Sequence, residues 1–167
     1  MAVVGEEVDD GKAGVDYVWN VREGKQDNPY RRGSPPCDEA TYTSPIREYS
    51  QGTGWESITG SAFVPNGVWL SEYHDAYLFG DFLCGTIFKL SPKSGGGYEH
   101  TDFVTGLGTR SAFAVTFGPY ASAQALYYTT FDGGEVRRIS YTAGNRAPVA
   151  DVTADPPYSL QHCRSSL

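Results

Sequence analysis

The apolar residues of the chain fall in short runs bounded by Gly, Pro, Asn, Asp and Ser, with no long stretch at helical spacing. That punctuation belongs to an all-β protein, whose turns need residues with special backbone freedom. Residues 58–64 read as a strand, followed by the turn Pro65-Asn-Gly67. Ala76 to Phe79 reads as a second strand ending at Gly80-Asp81. Thr86 to Leu90 reads as a third, with Thr86, Phe88 and Leu90 on one face and Ile87 and Lys89 on the other. After the turn Gly95-Gly-Gly97 a fourth strand is expected near Glu99 to Val104. The pattern then restarts: Phe113, Val115 and Phe117 alternate with Ala112, Ala114 and Thr116, Leu126 to Phe131 is β-rich, and Asp132-Gly-Gly turns into Glu135 to Tyr141. Strands of this length at this spacing suggest a sandwich, a barrel or a propeller.

Four strands followed by three is the rhythm of propeller blades, each a four-stranded sheet of roughly 40–50 residues. The last blade of such a ring lacks a strand when the N-terminus of the whole ring supplies it. A closed ring takes about four to eight blades, and this chain supplies fewer than two. Isolated blades leave apolar faces in water, so the rhythm points to a fragment, with a small sandwich as the open alternative. Residues 20–54 are rich in Gly, Pro, Ser, Asp and Arg and read as a long loop, which in a compact domain marks function. The residues after Tyr141 read as a linker, and those beyond Pro156 as a disordered tail. The expected division is residues 1–142 for the β-domain and 143–167 for linker and tail.

Composition narrows the function. The 167 residues carry 13 Lys and Arg against 20 Asp and Glu, a formal net charge of −7. Forty per cent is apolar and 14% aromatic, too much for a disordered acidic chain. An acidic balance disfavours nucleic acid, whose binding needs clustered cations. No apolar stretch approaches the roughly 20 residues of a membrane-spanning helix. Met1 to Lys12 holds only a short apolar run before acids begin, which is not the pattern of a signal peptide. Of the three cysteines, Cys37, Cys84 and Cys163, no pair has C-x-x-C spacing, so zinc and redox motifs are unsupported. Cys37 and Cys84 form a disulfide or stay as buried thiols, and Cys163 lies in the polar tail.

Several segments, in order, resemble the glucose/sorbosone dehydrogenase family. Asp16-Tyr-Val-Trp-Asn-Val-Arg-Glu-Gly24 resembles its "NYGWP…EG" segment. Tyr42-Thr-Ser-Pro-Ile-Arg-Glu-Tyr49 resembles "PI.EY", and Ile58-Thr-Gly60 resembles "ITGG". Tyr77-Leu-Phe-Gly-Asp-Phe82 with Gly85-Thr-Ile-Phe-Lys-Leu90 resembles "YFFGDY.SG.I..L". Leu126-Tyr-Tyr128 with Gly134-Glu-Val-Arg-Arg-Ile139 resembles the closing "LYY…G.I.RI.Y". Asn145-Arg-Ala-Pro-Val-Ala150 resembles a linker that in some bacterial members leads to an immunoglobulin-like domain. The resemblance runs over roughly residues 4–150 and covers only the C-terminal part of the family domain.

The resemblance implies a fold: about the last two four-stranded blades of a six-bladed propeller, with the remaining blades upstream. It implies a parent activity too, oxidation of a sugar hydroxyl by hydride transfer to pyrroloquinoline quinone, with calcium polarising the quinone. It places the catalytic histidine upstream; His74, His100 and His162 do not match it. For metal, it aligns Glu6 and Glu7 with half of one calcium loop. A second, structural calcium would take the carbonyls of Glu23 and Lys25 and the carboxylate of Asp27, oxygen ligands of the kind calcium prefers. The same residues also suit a solvated acidic run and a plain polar loop. For the quinone, Arg110 matches the first of two clamp arginines, Ala112 stands in place of the second, and Leu83 and Cys84 stand where a lysine is expected. Two of three cationic contacts are thus lost, each worth on the order of 1.5–3 kcal/mol. Arg110 also suits a surface ion pair, and Trp55 and Trp69 suit either a sugar face or a core.

These readings make the chain a fragment of a quinone-dependent sugar dehydrogenase, itself inactive, with a sugar as the parent's substrate and an extracellular or periplasmic location. The alternative is a non-catalytic extracellular propeller that binds carbohydrate or protein.

Overall fold

The computed structural model describes residues 5–17, 19, 21–28, 42–50, 57–141 and 149–150. The chain divides into two compact units, Met1–Glu56 with Arg164–Leu167, and Ser57–Cys163. Both are built of antiparallel strands. Among the described residues there is no α-helix, only one 3-10 turn at Ser71–Tyr73, and so no helix long and apolar enough to cross a membrane.

The first unit pairs β1 (Gly5–Val8) with β4 (Arg47–Ser50), setting Glu6 opposite Tyr49 and Glu7 opposite Glu48. Between them in sequence, β2 (Arg22–Glu23) and β3 (Gln26–Asp27) make a two-residue hairpin around Gly24 and Lys25. The segment expected as one long loop therefore carries a hairpin and a strand; residues 29–41 and 51–56 lie outside the described residues.

The second unit holds two four-stranded sheets. β5 (Ile58–Phe63), β6 (Tyr77–Asp81), β7 (Thr86–Pro92) and β8 (Tyr98–Val104) lie side by side in chain order. β9 (Ser111–Tyr120), β10 (Ala123–Thr130), β11 (Val136–Ser140) and β12 (Val149–Ala150) repeat that arrangement. The seven strands expected from alternation in this unit are all present. Neither sheet closes on itself. The eighth strand corrects the expectation of a borrowed one: Val149–Ala150, in residues read as linker, pairs with Ile139 and Ser140. Two residues are too few to show alternation. The tail expected to be disordered, beyond Pro156, lies outside the described residues.

The two sheets share one core. Leu78 and Ile87 from the first and Leu126, Tyr128 and Ile139 from the second are at most 1% exposed. Burying each side chain of this kind is worth about 1.5–3 kcal/mol relative to leaving it wet. Trp69, 5% exposed, stacks on Phe103 with ring centres 5.6 Å apart and meets Phe117 edge-on at 5.0 Å. It belongs to the core and has no face for a sugar; Trp55 lies outside the described residues.

What sets the spacing is glycine. β9 packs chiefly on β5 and β6 and only grazes β7. A Cβ at Gly60 would lie 2.6 Å from the Cα of Ala114, and one at Gly80 would lie 2.8 Å from the Cβ of Ala112 and run into that residue's carbonyl oxygen. Both values are far inside van der Waals contact, so only glycine lets the backbones approach this closely. Thr59 then reaches across, its hydroxyl donating to the Ala112 carbonyl at 2.9 Å. Each sheet has an irregularity at this place: β5 slips against β6 between Ile58 and Ser61, and β9 against β10 between Tyr128 and Thr130. Such bulges bend a strand locally and re-aim its side chains.

Replacing Gly80 by Ala is therefore expected to destabilise the second unit by about 1–3 kcal/mol, the usual cost of overpacking. Gly95→Ala, where an added Cβ meets nothing within 4 Å, is expected to change stability by less than about 0.5 kcal/mol. Chemical denaturation of the two variants checks the difference.

Candidate functional site

The bulge at the start of β9 fixes the loop end of the second unit. Arg110 and Ala112 both take left-handed backbone, with φ of 60° and 59°. Non-glycine residues held there carry strain, which gathers at ligand clamps and active sites. Ser111 between them is buried and donates its hydroxyl to the Leu107 carbonyl at 2.9 Å. The Arg110 carbonyl accepts from the Phe131 amide at 2.8 Å. Its guanidinium meets the Asp132 carboxylate at 3.2 Å and lies 5.8 Å from the centre of the Phe131 ring. Arg110 and Asp132 are 51% and 62% exposed, so water screens the pair and it is worth about 0–1 kcal/mol.

Phe131, beside this arginine, belongs to a cluster of three phenylalanines. Phe82 meets Phe113 edge-on at 5.6 Å and Phe131 at 5.9 Å, and Phe113 meets Phe131 at 6.3 Å. Phe113 and Phe131 are 51% and 62% exposed. Sequence reasoning missed this triad, although a signal existed. Phe82 directly follows β6 and Phe131 directly follows β10, the equivalent strands of the two sheets.

The hairpin from β6 to β7 is held by Asp81, whose buried carboxylate accepts from the amides of Ser57 (3.3 Å), Leu83 (3.0 Å) and Cys84 (2.9 Å). Asp81, the last residue of β6, is thus a turn-former. Leu83 therefore sits on a fixed turn near the bulge, and Ala112 is fully buried. A ligand with several carboxylates would find two described cations at this end, Arg110 paired with Asp132 and Arg137 paired with Glu135 beside the Leu107 carbonyl. Leu83 and Ala112 bring no charge to such a ligand. Cys84 is disulfide-bonded; Cys37 and Cys163 both lie outside the described residues, and so does the expected pairing.

Acids converge in the first unit. Glu7 and Glu48 face each other across β1 and β4, a pairing that like charges disfavour. Each is engaged by the β2–β3 turn: Glu7 accepts from the Gly24 amide at 2.7 Å, and Glu48 from the Lys25 amide at 2.6 Å. Lys25 adds its ammonium 3.3 Å from Glu48. Desolvation raises the Glu7 carboxyl above its ordinary range; Asp9 adds to this, and the Gly24 amide opposes it. Asp9 and Glu23 are raised by desolvation too.

The expected metal residues divide. Glu23, Lys25 and Asp27 share this one hairpin. The β1 residue that reaches it is Glu7, because Glu6 points to the other face of the strand. Arg22, its side chain only 12% exposed, lies with a guanidinium nitrogen 3.5 Å from the Lys25 carbonyl and another 3.7 Å from the Asp27 carboxylate. It also donates to the Tyr42 hydroxyl at 2.8 Å. Two of the oxygens that calcium would need thus face a fixed cation, and the set does not fit the ion. Among the described residues no three His, Cys, Asp or Glu side chains gather as a metal-binding group. Of the histidines, His74 ends the 3-10 turn in solvent, His100 lies against Phe88 at 4.9 Å, and His162 is outside the described residues.

The raised Glu7 carboxyl has a signed consequence. Its protonated form is favoured by folding, so its contribution to stability is full below pH 4.5, the ordinary value, and is lost as pH rises through the higher folded value. Glu7→Gln keeps the acceptor for Gly24 and removes the charge. The variant is expected to be more stable than wild type at pH 7, with the gap closing below pH 4.5. Melting curves of both proteins across this range check it, and a gap independent of pH contradicts it.

Comparison with protein-family models, with curated proteins and with solved structures finds no match to this chain.

Proposed function

We propose that the chain is the C-terminal portion of a β-propeller of the glucose/sorbosone dehydrogenase type, catalytically silent, whose loop end serves as a binding surface outside the cell. The ring reading is supported by two successive four-stranded meanders whose first strands lie closest together, the arrangement of neighbouring blades around an axis. The disulfide at Cys84 supports an oxidising compartment.

One observation carries the silent reading: Arg110, the cation that the resemblance places at the clamp, is held by Asp132 and flanked by Phe131. Losing two charge-assisted bonds weakens a polyanionic quinone by about 3–6 kcal/mol, roughly a hundred- to ten-thousand-fold in affinity. No described histidine offers a base beside Arg110, and a base must reach its proton within hydrogen-bonding distance. The aromatic triad is instead the kind of surface that anchors a partner by dispersion and ring contacts.

The second reading is an active quinone-dependent sugar dehydrogenase in the parent protein. It is favoured by the ordered run of family-like segments over roughly residues 4–150 and by the position of Arg110 at the loop end. Titration of the 167-residue protein with pyrroloquinoline quinone, with and without calcium, separates the two. The expected result is no saturable binding at micromolar quinone, and no dye reduction with an aldose. Tight binding or turnover would establish the dehydrogenase reading.

A further inference from the structure

The turn Pro65-Asn-Gly67 carries the chain out of β5, and its tip is chemically open although both its shoulders are fixed. Val64, 3% exposed, donates its amide to the Ala76 carbonyl at 2.9 Å. Trp69, 5% exposed, is locked among the rings of Tyr73, Phe103 and Phe117. The Val68 amide closes the turn on the Pro65 carbonyl at 3.2 Å. Gly67 takes left-handed backbone, with φ of 78°, as the third position of such a turn requires. At the tip, Asn66 and Gly67 are exposed, and a Cβ built on Gly67 would meet nothing within 4 Å. Among the described residues neither the Gly67 amide nor the Asn66 carboxamide has a hydrogen-bond partner.

An asparagine carboxamide is an electrophile, and the next backbone nitrogen is a nucleophile within its reach. The side chain of the following residue ordinarily hinders their meeting, and glycine has none. Of the four asparagines, only Asn66 precedes a glycine. Asn20 and Asn145 precede Val21 and Arg146, and Asn28 precedes Pro29, whose nitrogen carries no hydrogen. The Asp-Gly steps at Asp10 and Asp132 end in carboxylates held by Lys12 and Arg110, and a carboxylate is a far poorer electrophile than an amide.

We propose that Asn66 is a site of spontaneous covalent modification that resets this turn. The Gly67 nitrogen gives its proton to water and bonds to Asn66 Cγ; the Cγ–Nδ2 bond breaks, and Nδ2 leaves with a proton as ammonia. The product is a cyclic imide. Water then opens the ring, at Cγ to give an aspartate or at the main-chain carbonyl to give an isoaspartyl link. The sum is amide plus water to acid plus ammonia, with nothing oxidised or reduced. The new acid adds one negative charge to a chain already at −7. The isoaspartyl link also adds a methylene to the main chain between two buried shoulders, which displaces the bond from Val68 to Pro65 and the seat of Trp69.

Incubation of the 167-residue protein in mildly alkaline buffer, followed by peptide mapping with mass spectrometry, tests this. The peptide holding Asn66 is expected to gain the mass difference between an amide and an acid at least tenfold faster than the peptides holding Asn20, Asn28 and Asn145. Asn66→Ser is expected to abolish the change, and Asn66→Asp to melt as wild type, since both keep a short polar turn residue. The converted protein, separated by its added charge and carrying mostly the isoaspartyl link, is expected to melt a few degrees below Asn66→Asp. Asn66 left intact, or converted no faster than the other three, overturns the site. Converted protein that melts together with Asn66→Asp overturns the effect on the turn.

Discussion

The structure of the second unit depends on two sheets approaching closer than side chains permit. At Gly60 and Gly80 the backbone of β9 occupies the space a Cβ would fill. That approach lets Thr59 bond across the sheets. It also accompanies the slips at Ile58–Ser61 and Tyr128–Thr130, and with them the left-handed backbone of Arg110 and Ala112. The loop end follows from it. Arg110 lies beside Asp132 and Phe131, and the phenylalanine at the end of each equivalent strand meets Phe113 between them. Strain at two residues is tolerated because Ser111 is bonded and buried between them and Ala112 is packed on all sides.

The first unit obeys a different constraint. Two carboxylates sit opposite each other on paired strands, and each is satisfied by an amide of one tight turn. Such bonds to ionised acceptors are stronger than neutral ones, which offsets the repulsion between Glu7 and Glu48. Arg22, the first residue of this hairpin, is held against Tyr42 and lies beside the Lys25 carbonyl and the Asp27 carboxylate. The hairpin is thus ordered by side chains of the chain itself.

Strand positions were legible because period-2 alternation is a local signal and Gly-rich turns punctuate it: residues 58–64, 86–90 and 112–117 needed no tertiary information. β12 was not legible, since two residues cannot show a period. The roles of Gly60 and Gly80 were hidden for another reason. A glycine in a strand signals some close approach, but which backbone approaches is decided by residues over thirty positions away. That Glu7 is the β1 residue bonded to the hairpin turns on a one-residue phase of β1, which only the pairing with β4 fixes. The resemblance singled out Arg110 as a clamp residue, while its partner Asp132 and the aromatic triad arise from the meeting of two sheets.

The central claim is the direct contact of backbones at Gly60. It is tested most simply by nuclear Overhauser contacts between the Gly60 α-protons and the Val115 amide and Ala114 α-proton. Strong cross-peaks, of the intensity seen between paired strands, are predicted in the folded protein. Their absence, with Gly60 resolved and its own strand pairing to β6 intact, would contradict the account.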